Sequence, residues 1–115
     1  MDNKDRDVDG TVTEETVQED NLVIKLKKPI DFEGQRYEQI DLNGLHDIKA
    51  ADMVRISRRM SRNGNVDSSP ELSLEYALNM ANIVTGLPLE FFEQLPPQTA
   101  IAVKGRVVGF LFAQG

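Results

Sequence analysis

The stretch Ser69-Pro-Glu-Leu-Ser-Leu-Glu-Tyr-Ala-Leu-Asn-Met-Ala-Asn-Ile-Val-Thr-Gly86 constrains this chain most, because it carries both ends of a helix and leaves that helix little surface for water. Ser69 suits an N-cap, Pro70 the first helical position and Glu71 the positive helix end. Gly86 is the residue best able to take the left-handed conformation that stops a helix, and Pro88 follows it. At about 100° per residue, Glu71, Glu75, Asn79 and Asn82 fall on one narrow polar stripe. Leu72, Leu74, Tyr76, Ala77, Met80, Ala81, Ile83 and Val84 cover most of the rest. A helix apolar over so wide an arc has to be packed on more than one side. It is expected to be the centre of the core.

The chain before it changes period. Leu22, Ile24 and Leu26 alternate with Val23, Lys25 and Lys27, and Tyr37, Gln39 and Asp41 alternate with Glu38, Ile40 and Leu42. Both runs have the spacing of a strand. Pro29 is expected to interrupt the first, and Phe32-Glu-Gly-Gln35 supplies a turn with a glycine able to take positive φ. A hairpin over 22–42 results. A lone hairpin is marginal in water, so its apolar face has to lie on the helices.

Asn43-Gly44 breaks the chain, with His46 in the polar loop that follows, and a helix is expected over about 48–62. Met53, Ile56 and Met60 form its apolar seam. Arg55, Arg58, Arg59 and Arg62 gather within about 100° on the other side. That arginine face admits three readings: a solvated surface, a surface for a protein partner, or a phosphate-contacting helix. No aromatic residues interleave with the arginines, which counts against nucleic acid.

After the central helix, residues 88–94 read as a short helical turn between prolines. A last helix is expected over 98–112 with two apolar stripes. Ala100, Val103, Val107, Phe110 and Leu111 form one, assigned to the core. Ile101, Val108 and Phe112 form the other, about 130° away and bordered by Gly105 and Gly109. Glycine and valine are poor helix formers, so packing has to hold this helix. The second stripe is a candidate partner surface, although a hairpin docked on it would account for it equally well. The fold class is therefore α+β, mainly α: an N-terminal β-hairpin packed on three main helices and one short helical turn.

The net charge of -6 is unevenly placed. Residues 1–20 hold eight acids against Lys4 and Arg6, and the other 95 residues hold eleven of each sign. With only Val8, Val12 and Val17 as larger apolar side chains beyond Met1, this segment reads as a disordered acidic tail ahead of a single folded domain, 21–115. No signal-peptide pattern or bilayer-length apolar run is present, so the expected location is intracellular and the expected partners do not include a membrane. With no cysteine in the chain there is no thiolate chemistry. His46 lacks neighbours at metal-ligand spacing, and it is the only histidine available as a base for a serine or threonine. No glycine-rich phosphate loop occurs. The residues point to a non-catalytic protein without metal, cofactor or small-molecule substrate.

The run Ile24-Lys-Leu-Lys-Lys-Pro-Ile-Asp-Phe-Glu-Gly-Gln-Arg-Tyr-Glu-Gln-Ile-Asp-Leu42, followed by Leu45-His-Asp-Ile-Lys-Ala-Ala-Asp-Met53, resembles the opening of the small tail assembly chaperones of tailed bacteriophages, the Mu-like ones included. Glu71-Leu-Ser-Leu-Glu-Tyr-Ala77, Thr85-Gly-Leu-Pro88 and Val103-Lys-Gly-Arg-Val-Val-Gly-Phe-Leu111 are similar to the rest of that pattern, over about residues 22–112. The resemblance implies a cytoplasmic, non-catalytic helper that keeps the long helical tape measure protein soluble until tail tube subunits assemble around it. In many phages of the group a longer form is made by ribosomal frameshifting. A second copy of the chain is a further candidate partner, since spare apolar surface can be held in a self-associated state. Two departures stand out. Lys49 occupies the place where a serine or threonine would cap the first helix, so a side-chain capping box with Asp52 is not expected. The acidic tail is unusual for the group, which lends it no role. The competing classes are a small regulatory nucleic-acid binder using the arginine face and a structural oligomer subunit.

Overall fold

A computed structural model describes residues 22–64 and 69–113. The acidic segment read as a disordered tail lies outside the described residues. Among them, a two-stranded antiparallel hairpin, β1 (Val23–Phe32) and β2 (Gln35–Asp41), is followed by four α-helices. These are α1 (Ala50–Arg62), α2 (Leu74–Thr85), α3 (Leu89–Glu93) and α4 (Pro97–Leu111), with 3-10 turns at Asn43–Asp47 and Pro70–Leu72. The fold is α+β and mainly helical, as the change of period predicts.

The hairpin closes through Glu33 and Gly34, both at positive φ (50° and 83°). Two such residues between paired Phe32 and Gln35 make a tight turn whose twist matches that of the strands. Pro29 does not end the first strand as expected. Instead the register shifts between Lys25, opposite Gln39, and Ile30, opposite Tyr37. Four residues, Leu26–Pro29, thus stand against Glu38 alone, a bulge that absorbs the proline's missing N–H. The bulge divides the hairpin's packing in two. Leu22, Ile24, Ile40 and Leu42 enter the main core near its open end. At its turn end, Phe32 and Tyr37 meet the ring of Phe91 edge-on, with centroids 5.5 and 5.0 Å away.

Helix α2 is the hub, touching α1, α3, α4 and the 3-10 turns on either side of α1. Its six consecutive residues Tyr76–Ala81 are all buried. Its start differs from the expected one. Ser69 and Pro70 open a 3-10 turn, and the α-helix begins four residues later, where the Ser73 hydroxyl accepts from the Tyr76 N–H at 3.1 Å and donates to the Pro70 carbonyl at 2.8 Å. Bonding on both sides by one hydroxyl makes Ser73 the stronger start signal. The far end is as expected, with Gly86 at φ 77°. There Asn82 Nδ2 donates to the Leu87 carbonyl at 2.6 Å and Thr85 Oγ1 accepts from the Leu87 N–H at 3.1 Å.

The turn at Asn43–Asp47 replaces the expected polar loop. It buries Leu45, and the His46 ring meets Phe110 edge-on at 5.2 Å. Gly44 is there for proximity rather than for chain breaking. A Cβ on it would stand 2.6 Å from the backbone oxygen of Val84, so only glycine lets this turn lie against the end of α2. At the start of α1, Asp52 accepts from the Lys49 backbone N–H at 2.9 Å. That is half a capping box. The reciprocal half is impossible because an ammonium group has no lone pair to offer.

Candidate partner-binding faces

The two surfaces singled out in the sequence lie on α4 and α1. On α4 the apolar residues divide by face. Ala100, Val103 and Val107 are buried, while Phe110 and Leu111 are half-buried at the edge of the same stripe. On the other side Ile101 is 63% exposed and Phe112 55% exposed, with Val108 half-buried between them. The hairpin therefore leaves these two end residues uncovered, although β1 does contact α4 elsewhere. Gly105 and Gly109 are exposed next to this strip, and a Cβ built on either meets nothing within 4 Å. The side of α4 turned from the core is thus a shallow apolar strip with two missing side chains. A second helix could approach it closely.

On α1, Ile56 and Met60 are buried and Met53 is half-buried, so the apolar seam faces α2. The arginines do not form one uniform face. Arg59 turns toward α2 and donates from Nη1 to Oδ1 of Asn79 at 2.6 Å. Asn79 is itself buried and donates from Nδ2 to the Glu75 carbonyl at 2.9 Å. Arg55 forms an ion pair with Asp52 one turn back. Arg58 and Arg62 are exposed and flank an open groove of 520 Å³ that also takes in Met53, Val54 and Tyr76. The polar stripe expected on the central helix is therefore covered at Asn79 by α1 rather than hydrated. The sequence carried a sign of this: on the wheel Arg59 lies about 60° from Ile56, near enough to the seam to be drawn over it.

Burial raises the Tyr76 phenol above its ordinary 10.0, and the Glu71 carboxylate adds to the effect. The Asn43 backbone N–H, then its side-chain amide, hold Asp41 below its ordinary 3.8. Neither group lies in a cluster suited to acid–base work. Among the described residues no three His, Asp or Glu side chains gather as a metal site, and no helix is long and apolar enough to cross a membrane.

Sequence reading missed the exposure of Val54, Leu72 and Leu74, three large apolar side chains on α1, on the second 3-10 turn and at the start of α2. Leu72 and Leu74 counted as core only because a continuous helix from Pro70 would have turned them inward.

The described surface thus presents an apolar strip on α4 and an arginine-flanked groove on α1. The family model described as phage tail assembly chaperone proteins, E, or 41 or 14, matches residues 23–111. That match runs from the first strand to the last residue of α4. The chain belongs to this phage tail assembly chaperone family. No curated protein and no solved structure matches it.

Proposed function

We propose that this protein is a non-catalytic chaperone acting in the host cytoplasm, where it binds the tape measure protein during tail assembly and keeps it soluble. The observation that carries this reading is the outer strip of α4. Ile101 and Phe112 remain exposed, although eighteen apolar side chains are buried among the described residues. An amphipathic client helix needs an apolar strip with room for its own backbone, and the positions of Gly105 and Gly109 supply that room. Ile101, Val108 and Phe112 are the proposed contacts, and Arg58 and Arg62 are a second surface for acidic parts of the same client. Arg55 and Arg59 are engaged inside the molecule and contribute less.

Co-expression with the tape measure protein of the same phage tests this. The two should co-purify, and Ile101→Asp should abolish capture while the chaperone itself stays folded. Undiminished capture by Ile101→Asp together with Phe112→Asp would move the site off α4. Retention of the complex on nucleic acid, lost steeply with salt, would instead favour the regulatory nucleic-acid reading.

A further inference from the structure

A second groove, of 630 Å³, lies between the bulge of β1 and the first turns of α4. Leu26, Pro97 and Ala102 are among its lining residues, and so are Lys25, Lys27 and Lys28. The three lysines are exposed, and among the described residues none has an ion-pair partner. They follow one another closely in the chain, Lys25 paired opposite Gln39 and Lys27 and Lys28 in the bulge just after it. An apolar channel bordered by three unpaired ammonium groups calls for an extended acidic segment with a few small apolar side chains.

Such a segment is attached to it. Residues 1–20 carry the whole charge excess of the chain and include Val12 and Val17, between and beside Glu14, Glu15, Glu19 and Asp20. They enter β1 through Leu22, only three residues before Lys25. From Leu22 to Lys27 an extended chain covers about 16 Å, at ~3.3 Å per residue. The same number of preceding residues can retrace that distance. A short tether of this kind gives an effective concentration in the millimolar range, so weak contacts suffice. We propose that the acidic segment, residues 12–20, docks in the lysine-bordered groove of its own chain as an internal occupant. Any other chain entering that groove then has to displace it, and low salt makes displacement harder. The proposal does not depend on which protein the α4 strip binds.

The absence of cysteine makes the test clean, because a nitroxide on Val12→Cys labels one site only. In the full chain at low salt, the label should broaden the backbone amides of Thr99 and Ala102 and spare those of Arg58 and Arg62. The broadening should vanish at about 1 M NaCl, where the Debye length falls to about 3 Å. It should vanish equally in Lys25→Glu/Lys27→Glu/Lys28→Glu and in Glu14→Gln/Glu15→Gln/Glu19→Gln/Asp20→Asn, which leave the core untouched. Broadening unaffected by either set of charge changes overturns the proposal. So does broadening centred on Arg58 and Arg62. Mixing labelled protein with an unlabelled, ¹⁵N-enriched copy covers the remaining case: broadening that persists in the mixture would give the groove to a second copy and not to the chain's own segment.

Discussion

Helices α2 and α4 are similar in length, twelve and fifteen residues, and each is rich in apolar side chains. Their fates differ. Helix α2 buries six residues in a row, the polar Asn79 among them. Helix α4 buries three on one face and leaves Ile101, a larger and more apolar side chain than most of its neighbours, in water. The difference lies in position. A helix surrounded by α1, α3, α4 and the 3-10 turns has no side on which to hydrate an amide, so Asn79 has to be satisfied from within, by Arg59 and the Glu75 carbonyl. A helix on the rim has a free side, and the fold places no packing demand on the residues there.

The largest effect should come from placing the same charge on the two faces of α4. Val107→Asp sets an unpaired carboxylate among fully buried side chains and should cost about 4 kcal/mol or more, enough to remove cooperative unfolding from a domain of this size. Ile101→Asp should cost at most about 1 kcal/mol, most of it helix propensity. Urea melts of the two variants decide it. Equal loss from both would mean that the outer strip is part of the core.

Gly44→Ala tests how closely the rest of the chain must fit against α2. A single methyl group pressed on the Val84 backbone oxygen has no flexible side chain to push aside, and overpacking of that kind costs about 1–3 kcal/mol. A midpoint in urea equal to the parent's would show that the 3-10 turn can slide along α2 at no cost.

The two helices also differ in how far they could be read in advance. The class, the hairpin and the existence of every α-helix followed from period and from glycine and proline. Both stripes of α4 were visible because a peripheral helix writes its environment as a simple alternation of faces. The interior was harder. Asn79 read as a polar stripe because the pairing that hides it joins residues 59 and 79, on different helices, and wheel arithmetic treats one helix at a time. The start of α2 was misplaced because Ser69-Pro70 and Ser73 compete as caps, and the winner is set by which hydroxyl also finds a carbonyl to bond. The bulge in β1 is not legible from Pro29 alone, since pairing across it depends on where the hairpin's two ends dock.

The Arg59–Asn79 contact can be isolated by a double-mutant cycle. Asn79→Leu leaves a half-buried guanidinium without its acceptor and should cost about 1–3 kcal/mol, whereas Asn79→Leu combined with Arg59→Met should recover most of that. Strict additivity of the two changes would show the contact to be incidental. Tyr76 on the same helix adds a pH signature. Its phenol binds its proton more tightly folded than unfolded, so its contribution is complete below the ordinary value of 10.0 and is lost as pH rises through the raised one. Tyr76→Phe should flatten that alkaline slope in melts recorded from neutral pH upward.

The smallest effect is the one that separates folding from binding. Gly105 lies inside α4 with helical backbone, on the exposed side, and nothing stands within 4 Å of a Cβ added to it. For folding alone alanine is the better residue, because glycine in a helix interior forfeits about 0.5–1 kcal/mol through the freedom of the unfolded chain. Gly105→Ala should therefore raise the melting temperature slightly. If a client helix packs on the outer strip, the same methyl group stands where its backbone has to come, and capture of the tape measure protein should weaken. A variant both more stable and less able to bind is hard to explain by damage to the fold. Gly109→Ala should behave in the same way, since it borders the same strip one turn on. Gain of stability with undiminished capture would leave Ile101 and Phe112 as exposed side chains only, and would direct attention to the groove beside Arg58 and Arg62.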